Sequence, residues 1–121
     1  MIDKKTLVLV ASPKPERYAY KAVALLLDNN VDVVAFRRRP GRIRELEFTT
    51  DLSSIHNIHT VTLYLNPMNQ VPYYDYIVNL NPRRVIFNPG TENKELQHLL
   101  DLQSIEWEEA CTLVLLTTKQ Y

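Results

Sequence analysis

Three side chains suited to holding an anion fall close together in this chain: Ser12, Lys14 and Arg17. A hydroxyl supplies a hydrogen-bond donor and the two cations supply charge, a combination that phosphate uses in full. Ahead of them runs an apolar stretch over residues 6–11, ending in Ala11, and from Tyr18 onward the pattern turns helical. A strand, a short loop and a helix in that order set a helix N-terminus beyond the carboxyl end of a strand. Free backbone N–H groups and the helix dipole favour an anion there. Cations beside the positive end of a helix are unfavourable unless an anion joins them, which argues for a binding corner. The plain alternative is a helix boundary with solvated charges.

A second cluster follows the apolar residues 31–36: Arg37, Arg38, Arg39, Arg42 and Arg44 gather around Pro40 and Gly41. An NAD site would call for Asp or Glu near this position, to accept hydrogen bonds from ribose hydroxyls. Arginine instead suits an extra ribose phosphate, as in NADP or in the 3′-phospho-ADP portion of coenzyme A. A solvated basic loop is the ordinary reading. A nucleic-acid surface ranks third, because the formal net charge is zero and no aromatic residues interleave with the arginines.

Other chemistry is thinly represented. His56, His59 and His98 lack zinc-site spacing with Cys111, so no metal is expected. Cys111 sits between Ala110 and an apolar run and reads as a small buried hydrophobe. No serine occupies a nucleophile elbow; Cys111 and Tyr64 are remote candidates only, and no catalytic residue is assigned. The two glycines, Gly41 and Gly90, lie outside the first loop, so there is no G-x-G-x-x-G motif. Val10 stands where dinucleotide binders often need glycine, and a β-branched residue there is expected to stiffen the turn against positive φ.

The elements that must position these groups alternate. The run 6–11 has no polar alternation and reads as a strand buried on both faces. Prolines 13 and 15 break its ladder. The helix after them is expected to turn Tyr18, Ala22, Leu25 and Leu26 inward and to end at residues 28–30, where asparagine tolerates the left-handed conformation. Residues 31–36 form a second strand, 45–49 a minor strand, and 51–57 a turn or a single helical turn. Residues 59–65 form a further strand ended by Asn66 and Pro67. Pro72 opens a helix facing inward through Tyr73, Tyr76, Ile77 and Leu80, stopped by Asn81 and Pro82. A strand over 84–87 leads into the loop 88–93, and a helix follows with Leu96, Leu99, Leu100 and Gln103 in register. Residues 105–108 suit a sheet edge; residues 110–116 fit helix or strand equally.

Strands alternating with amphipathic helices call for an α/β, three-layer, doubly wound domain of Rossmann-like type, with a mainly parallel sheet of about five strands. Its ligand would sit outside the carboxyl ends of the strands, where the loops 12–17, 37–42, 66–67 and 88–91 gather.

At 121 residues with ordinary apolar and charged content, residues 1–121 are expected to form one domain. Zero formal net charge gives no global pull toward nucleic acid or an anionic membrane. No stretch is long and apolar enough to span a bilayer, and Met1 leads into the first strand without a signal-peptide pattern. A single cysteine fits a reducing compartment, so a cytoplasmic protein is expected.

Four segments together resemble a known family: Ala11-Ser12-Pro-Lys-Pro-Glu-Arg-Tyr-Ala-Tyr-Lys-Ala-Val23, Val61-Thr-Leu-Tyr-Leu-Asn-Pro67, Val85-Ile-Phe-Asn-Pro-Gly-Thr-Glu-Asn93 and the ending Ala110-Cys-Thr-Leu-Val. They look like the small stand-alone CoA-binding-domain proteins, which share the Rossmann-like fold of the N-terminal domain of the succinyl-CoA synthetase α subunit. The resemblance implies a nucleotide-binding module that recognises CoA or an acyl-CoA; an NADP-binding oxidoreductase or an accessory subunit is the alternative. It further implies that Ala11 and Ser12 take the pyrophosphate, with Lys14 and Arg17 near by. Arg37 and Arg38 would serve the ribose phosphate and adenine side. Asn66, Pro67, Asn88, Gly90 and Thr91 would line the pantetheine path. The phosphohistidine of the synthetase lies in a different domain from the one matched, so ligase activity is not implied, and neither an enzyme nor a protein partner is assigned.

Overall fold

A computed structural model describes residues 2–121; Met1, where the sequence reading begins, lies outside the described residues. The first strand, β1 (Ile2–Leu9), is the axis of the sheet. Its stretch Thr6–Leu9 pairs in parallel with Val33–Phe36 of β2 (Val31–Phe36) on one side and with Thr60–Leu63 of β5 (Thr60–Leu63) on the other. β6 (Arg84–Phe87) and β7 (Glu106–Glu109) extend the sheet in parallel beyond β5. The resulting order, β2-β1-β5-β6-β7, reverses direction between β1 and β5. A crevice opens at such a reversal, because the connections on its two sides leave to opposite faces. The strand therefore starts earlier than residue 6 and ends two residues before Ala11, whose N–H still reaches the Phe36 carbonyl at 2.8 Å.

Strand pleating sends alternate residues to opposite faces, and both faces are covered. Leu7, Leu9, Val61, Leu63, Val85 and Phe87 pack beneath α3 (Tyr74–Leu80) and α4 (Lys94–Leu102) through Ile77, Leu96 and Leu100. Val8, Val33, Ala35 and Ile86 face the other way, onto Val23 and Leu26 of α1 (Tyr18–Asp28) and Leu116 of α5 (Thr112–Thr117). Each fully buried aliphatic side chain here contributes about 1.5–3 kcal/mol relative to exposure. The fold is thus α/β, with a five-stranded parallel sheet between two helical layers and Rossmann-like winding.

Several local details depart from the sequence reading. The buried face of α1 is Ala19, Ala22, Val23 and Leu26, while Tyr18 is 68% exposed. Helix α1 ends as expected at the asparagines, with Asn30 rather than Asn29 left-handed (φ 58°). Asn66 and Pro67 end a strand and also begin a helix: Asn66 caps α2 (Pro67–Gln70) by accepting the Asn69 N–H at 2.9 Å, with Pro67 at the first helical position. A 3-10 turn over Val71–Tyr73 then leads into α3. On α4 the buried set is Leu96, Gln97 and Leu100, and Gln103 lies past the helix end. The ambiguous residues after 110 form a helix.

The arginine-rich segment is only partly a loop. Arg42 and Ile43 form β3, paired antiparallel with Leu46 and Glu47 of β4, and Arg44 takes the turn with φ 54°. Arg42 pairs with Glu47 at 3.2 Å and Arg44 with Asp28 at 2.6 Å, both at the surface. Among the described residues no helix is long and apolar enough to cross a membrane.

Candidate functional site

The carboxyl ends of β1, β2, β5 and β6 enclose a cavity of about 490 Å³ at the reversal of strand order. The segment Val10–Ala11–Ser12, between β1 and α1, lines it. Ser12 Oγ accepts the Lys14 N–H at 3.2 Å, and the Lys14 carbonyl accepts the Arg17 N–H at 3.0 Å, so the loop closes on itself before the helix begins. Arg17 is the residue preceding α1, and no side chain caps the helix; its first turn holds no acid. The N–H groups of that turn thus face the cavity end without an acceptor from the protein.

Lys14, Arg17 and Arg37 all line this cavity, and no carboxylate does. None of the three takes part in an ion pair among the described residues. Three free cations around an uncapped helix N-terminus make a site of positive potential, suited to a di- or polyphosphate. Tyr64, Leu65 and Asn66 from the end of β5, and Pro89, Gly90 and Thr91 from the end of β6, complete the wall. Gly90 has φ 91°, and nothing lies within 4 Å of where a β-carbon would stand. Thr91 is held by its hydroxyl, which donates to the Asn88 carbonyl at 2.8 Å.

Eight of the eleven residues singled out from sequence, Ala11, Ser12, Lys14, Arg17, Arg37, Asn66, Gly90 and Thr91, come together here. Three do not. Arg38 follows Arg37 but turns to the opposite side, its guanidinium 5.7 Å from the centre of the Tyr73 ring and its Nε donating to the Tyr73 hydroxyl at 3.3 Å. Pro67 serves the start of α2. Asn88 is 2% exposed and spends its amide inward: Nδ2 donates to Thr62 Oγ1 at 2.6 Å and to the Leu63 carbonyl at 2.9 Å, while Oδ1 accepts the Thr112 N–H at 2.9 Å.

The turn at Val10 differs from the expectation as well. Val10 is not among the residues with positive φ, so its branched side chain meets no left-handed requirement; that demand falls on Gly90. Sequence reasoning missed Tyr18, Ala19, Tyr64 and Leu65 as lining residues, whereas Pro89 lies in the loop 88–91 expected at this edge. Tyr18 read as helix core by its spacing, and only the lack of apolar partners at residues 14 and 15 hinted otherwise. Burial pushes the Tyr64 phenol up to about 12, with the nearby Thr112 and Thr62 hydroxyls acting against it, so it stays neutral in the physiological range.

A second, more closed cavity of about 240 Å³ adjoins the first, sharing Tyr18, Tyr64 and Pro89 and adding Asn88, Cys111 and Leu113. Cys111 is half-buried at the start of α5 rather than a core residue. No group of three or more His, Cys, Asp or Glu side chains among the described residues is arranged to hold a metal ion.

Solved structures of similar shape share this architecture. A crystal structure of an uncharacterized protein is 41% identical, with each chain covered in full and a TM-score of 0.94. A hypothetical protein from Pyrococcus horikoshii OT3 is 26% identical over 91% of this chain and 78% of its own, with a TM-score of 0.79. A Thermus thermophilus protein, cell-free ID.343, is 16% identical, covers 98% of this chain and 91% of its own, and has a TM-score of 0.87, which supports the fold alone. No curated protein matches the chain. The family described as CoA binding domain matches residues 4–117, from the first strand through the last helix. By that match, over a fold that brings an unpaired cationic cluster to a helix N-terminus, the chain belongs to the CoA-binding domain family.

Proposed function

We propose that this protein is a non-catalytic module that recognises CoA or an acyl-CoA through its phosphates. The observation that carries the reading is the lining of the larger cavity: Lys14, Arg17 and Arg37 around an uncapped helix N-terminus, with no acid among them. The pyrophosphate lies over Ala11, Ser12 and the first turn of α1, where backbone N–H groups and two cations converge. The 3′-phosphate lies toward Arg37 at the end of β2. Pantetheine leaves past Asn66, Gly90 and Thr91, where uncharged walls suit its amides and carbons. Family membership supports CoA over the nicotinamide dinucleotides.

The rival ligand is NADP, whose 2′-phosphate Arg37 would serve by the same chemistry. Thermal unfolding with CoA, acetyl-CoA, NADPH, NADH and ADP separates the two. CoA at a hundred times its dissociation constant should add about 2.7 kcal/mol to stability. Stabilisation by NADPH with none by CoA would replace this reading with the oxidoreductase one.

A further inference from the structure

We propose that the smaller cavity, between Tyr64, Pro89, Cys111 and Leu113, receives the acyl end of a short, uncharged acyl-CoA. This inference rests on the CoA reading of the larger cavity and adds which thioesters the protein prefers.

Direction follows from strand order. Arg37 follows β2, the phosphate loop follows β1, Tyr64 follows β5, Pro89 follows β6 and Cys111 follows β7, in the order in which the strands lie side by side. A CoA laid across these ends with its 3′-phosphate at Arg37 and its pyrophosphate at Ser12 runs its pantetheine arm toward β6 and the β7–α5 turn. The smaller cavity lies there, beside the larger one, with Tyr18, Tyr64 and Pro89 common to both walls.

The chemistry of the wall sets the class of occupant. No charged side chain lines the smaller cavity. Its amide is spent within the protein: Asn88 uses both donors and its acceptor on Thr62, Leu63 and Thr112. What remains to meet a ligand is ring, proline and leucine surface with a thiol, which suits hydrocarbon. A carboxylate on the acyl group would enter with nothing to pair it. Volume sets length: at about 30 Å³ for each water-sized group, a cavity of about 240 Å³ holds the thioester and a chain of about four carbons.

Calorimetric titration of the whole protein with CoA, acetyl-, butyryl-, octanoyl- and succinyl-CoA tests this. Affinity should rise from acetyl- to butyryl-CoA by as much as about fourfold per added methylene. Octanoyl-CoA should gain nothing further, and succinyl-CoA should bind at least about tenfold more weakly than butyryl-CoA. In Leu113→Trp, checked for folding by circular dichroism, the ratio of butyryl-CoA to CoA affinity should fall to about one, because the indole fills the cavity. The wild-type series decides the matter even if that variant does not fold. Equal affinity for CoA and every thioester overturns the acyl cavity and leaves the CoA reading intact. A butyryl preference that survives in folded Leu113→Trp overturns its placement. Binding of no CoA species overturns both.

Discussion

The guanidinium of Arg38 lies over the ring of Tyr73, 5.7 Å from its centre, and its Nε donates to the Tyr73 hydroxyl at 3.3 Å. Tyr73 in turn meets Phe36 edge-on, with ring centres 6.1 Å apart. Arg38 is thereby tied to the α3 face of the sheet, away from the cavity that its neighbour Arg37 lines. Arg38→Ala should leave CoA affinity within twofold of wild type. An exposed cation–π contact of this kind is worth about 0.5–1 kcal/mol, so a urea melt should show a loss of that size. A large loss of CoA affinity with unchanged stability would place Arg38 in the site.

Asn88 joins three elements. Its amide ties Thr62 and Leu63 of β5 to the first N–H of α5 from a position just past β6. Asn88→Ala strips partners from buried groups, each costing about 1–3 kcal/mol when left unpaired. Chemical denaturation should therefore show a loss of at least about 2 kcal/mol. A variant as stable as wild type would mean that water or a ligand replaces the amide.

Gly90 carries the left-handed bend in the site wall, with φ 91°. Gly90→Ala meets no steric neighbour but must hold a conformation that L-residues avoid, at about 1–2 kcal/mol. A shift of that size in the denaturation midpoint is expected, with the circular dichroism spectrum unchanged.

Tyr64 makes stability depend on alkaline pH. Burial raises its phenol from 10.0 to about 12, so the unfolded chain gives up that proton first. The contribution is complete below about pH 10, and it declines as pH rises through about 12 by up to about 1.4 kcal/mol per pH unit. Urea melts between pH 9 and 11 should show a steeper fall in wild type than in Tyr64→Phe. Parallel slopes would show that the phenol titrates alike in both states.

The layered fold was legible because its signals are local. Residues 6–9, 31–36, 60–63 and 84–87 are apolar runs separated by helical spacing, and prolines and asparagines mark nearly every boundary. Much of the cationic corner was legible for the same reason: Ser12, Lys14 and Arg17, which line one cavity, are fixed by a single loop. The division of labour among the arginines was not read, although strand pleating carries it. Phe36 faces α3, so Arg37 and Arg38 must leave on opposite sides. The pairing of Arg42 with Glu47 and of Arg44 with Asp28 needs a hairpin too short to show periodicity. Asn88 lines the smaller cavity, but its inward amide bonds were not read, because its partners Thr62 and Thr112 are 26 and 24 residues away, a distance that only the folded chain closes.

The 3′-phosphate gives the most direct test of the CoA site. CoA and 3′-dephospho-CoA differ by that one group, and Arg37 is the cation at the end of β2 that lines the cavity. Calorimetric affinities for both ligands, in wild type and in Arg37→Ala, isolate the pair. The account predicts that Arg37→Ala loses roughly 1.5–3 kcal/mol of CoA affinity and almost none for 3′-dephospho-CoA, with little change in fold stability. Equal losses for both ligands, or no loss for either, would contradict it.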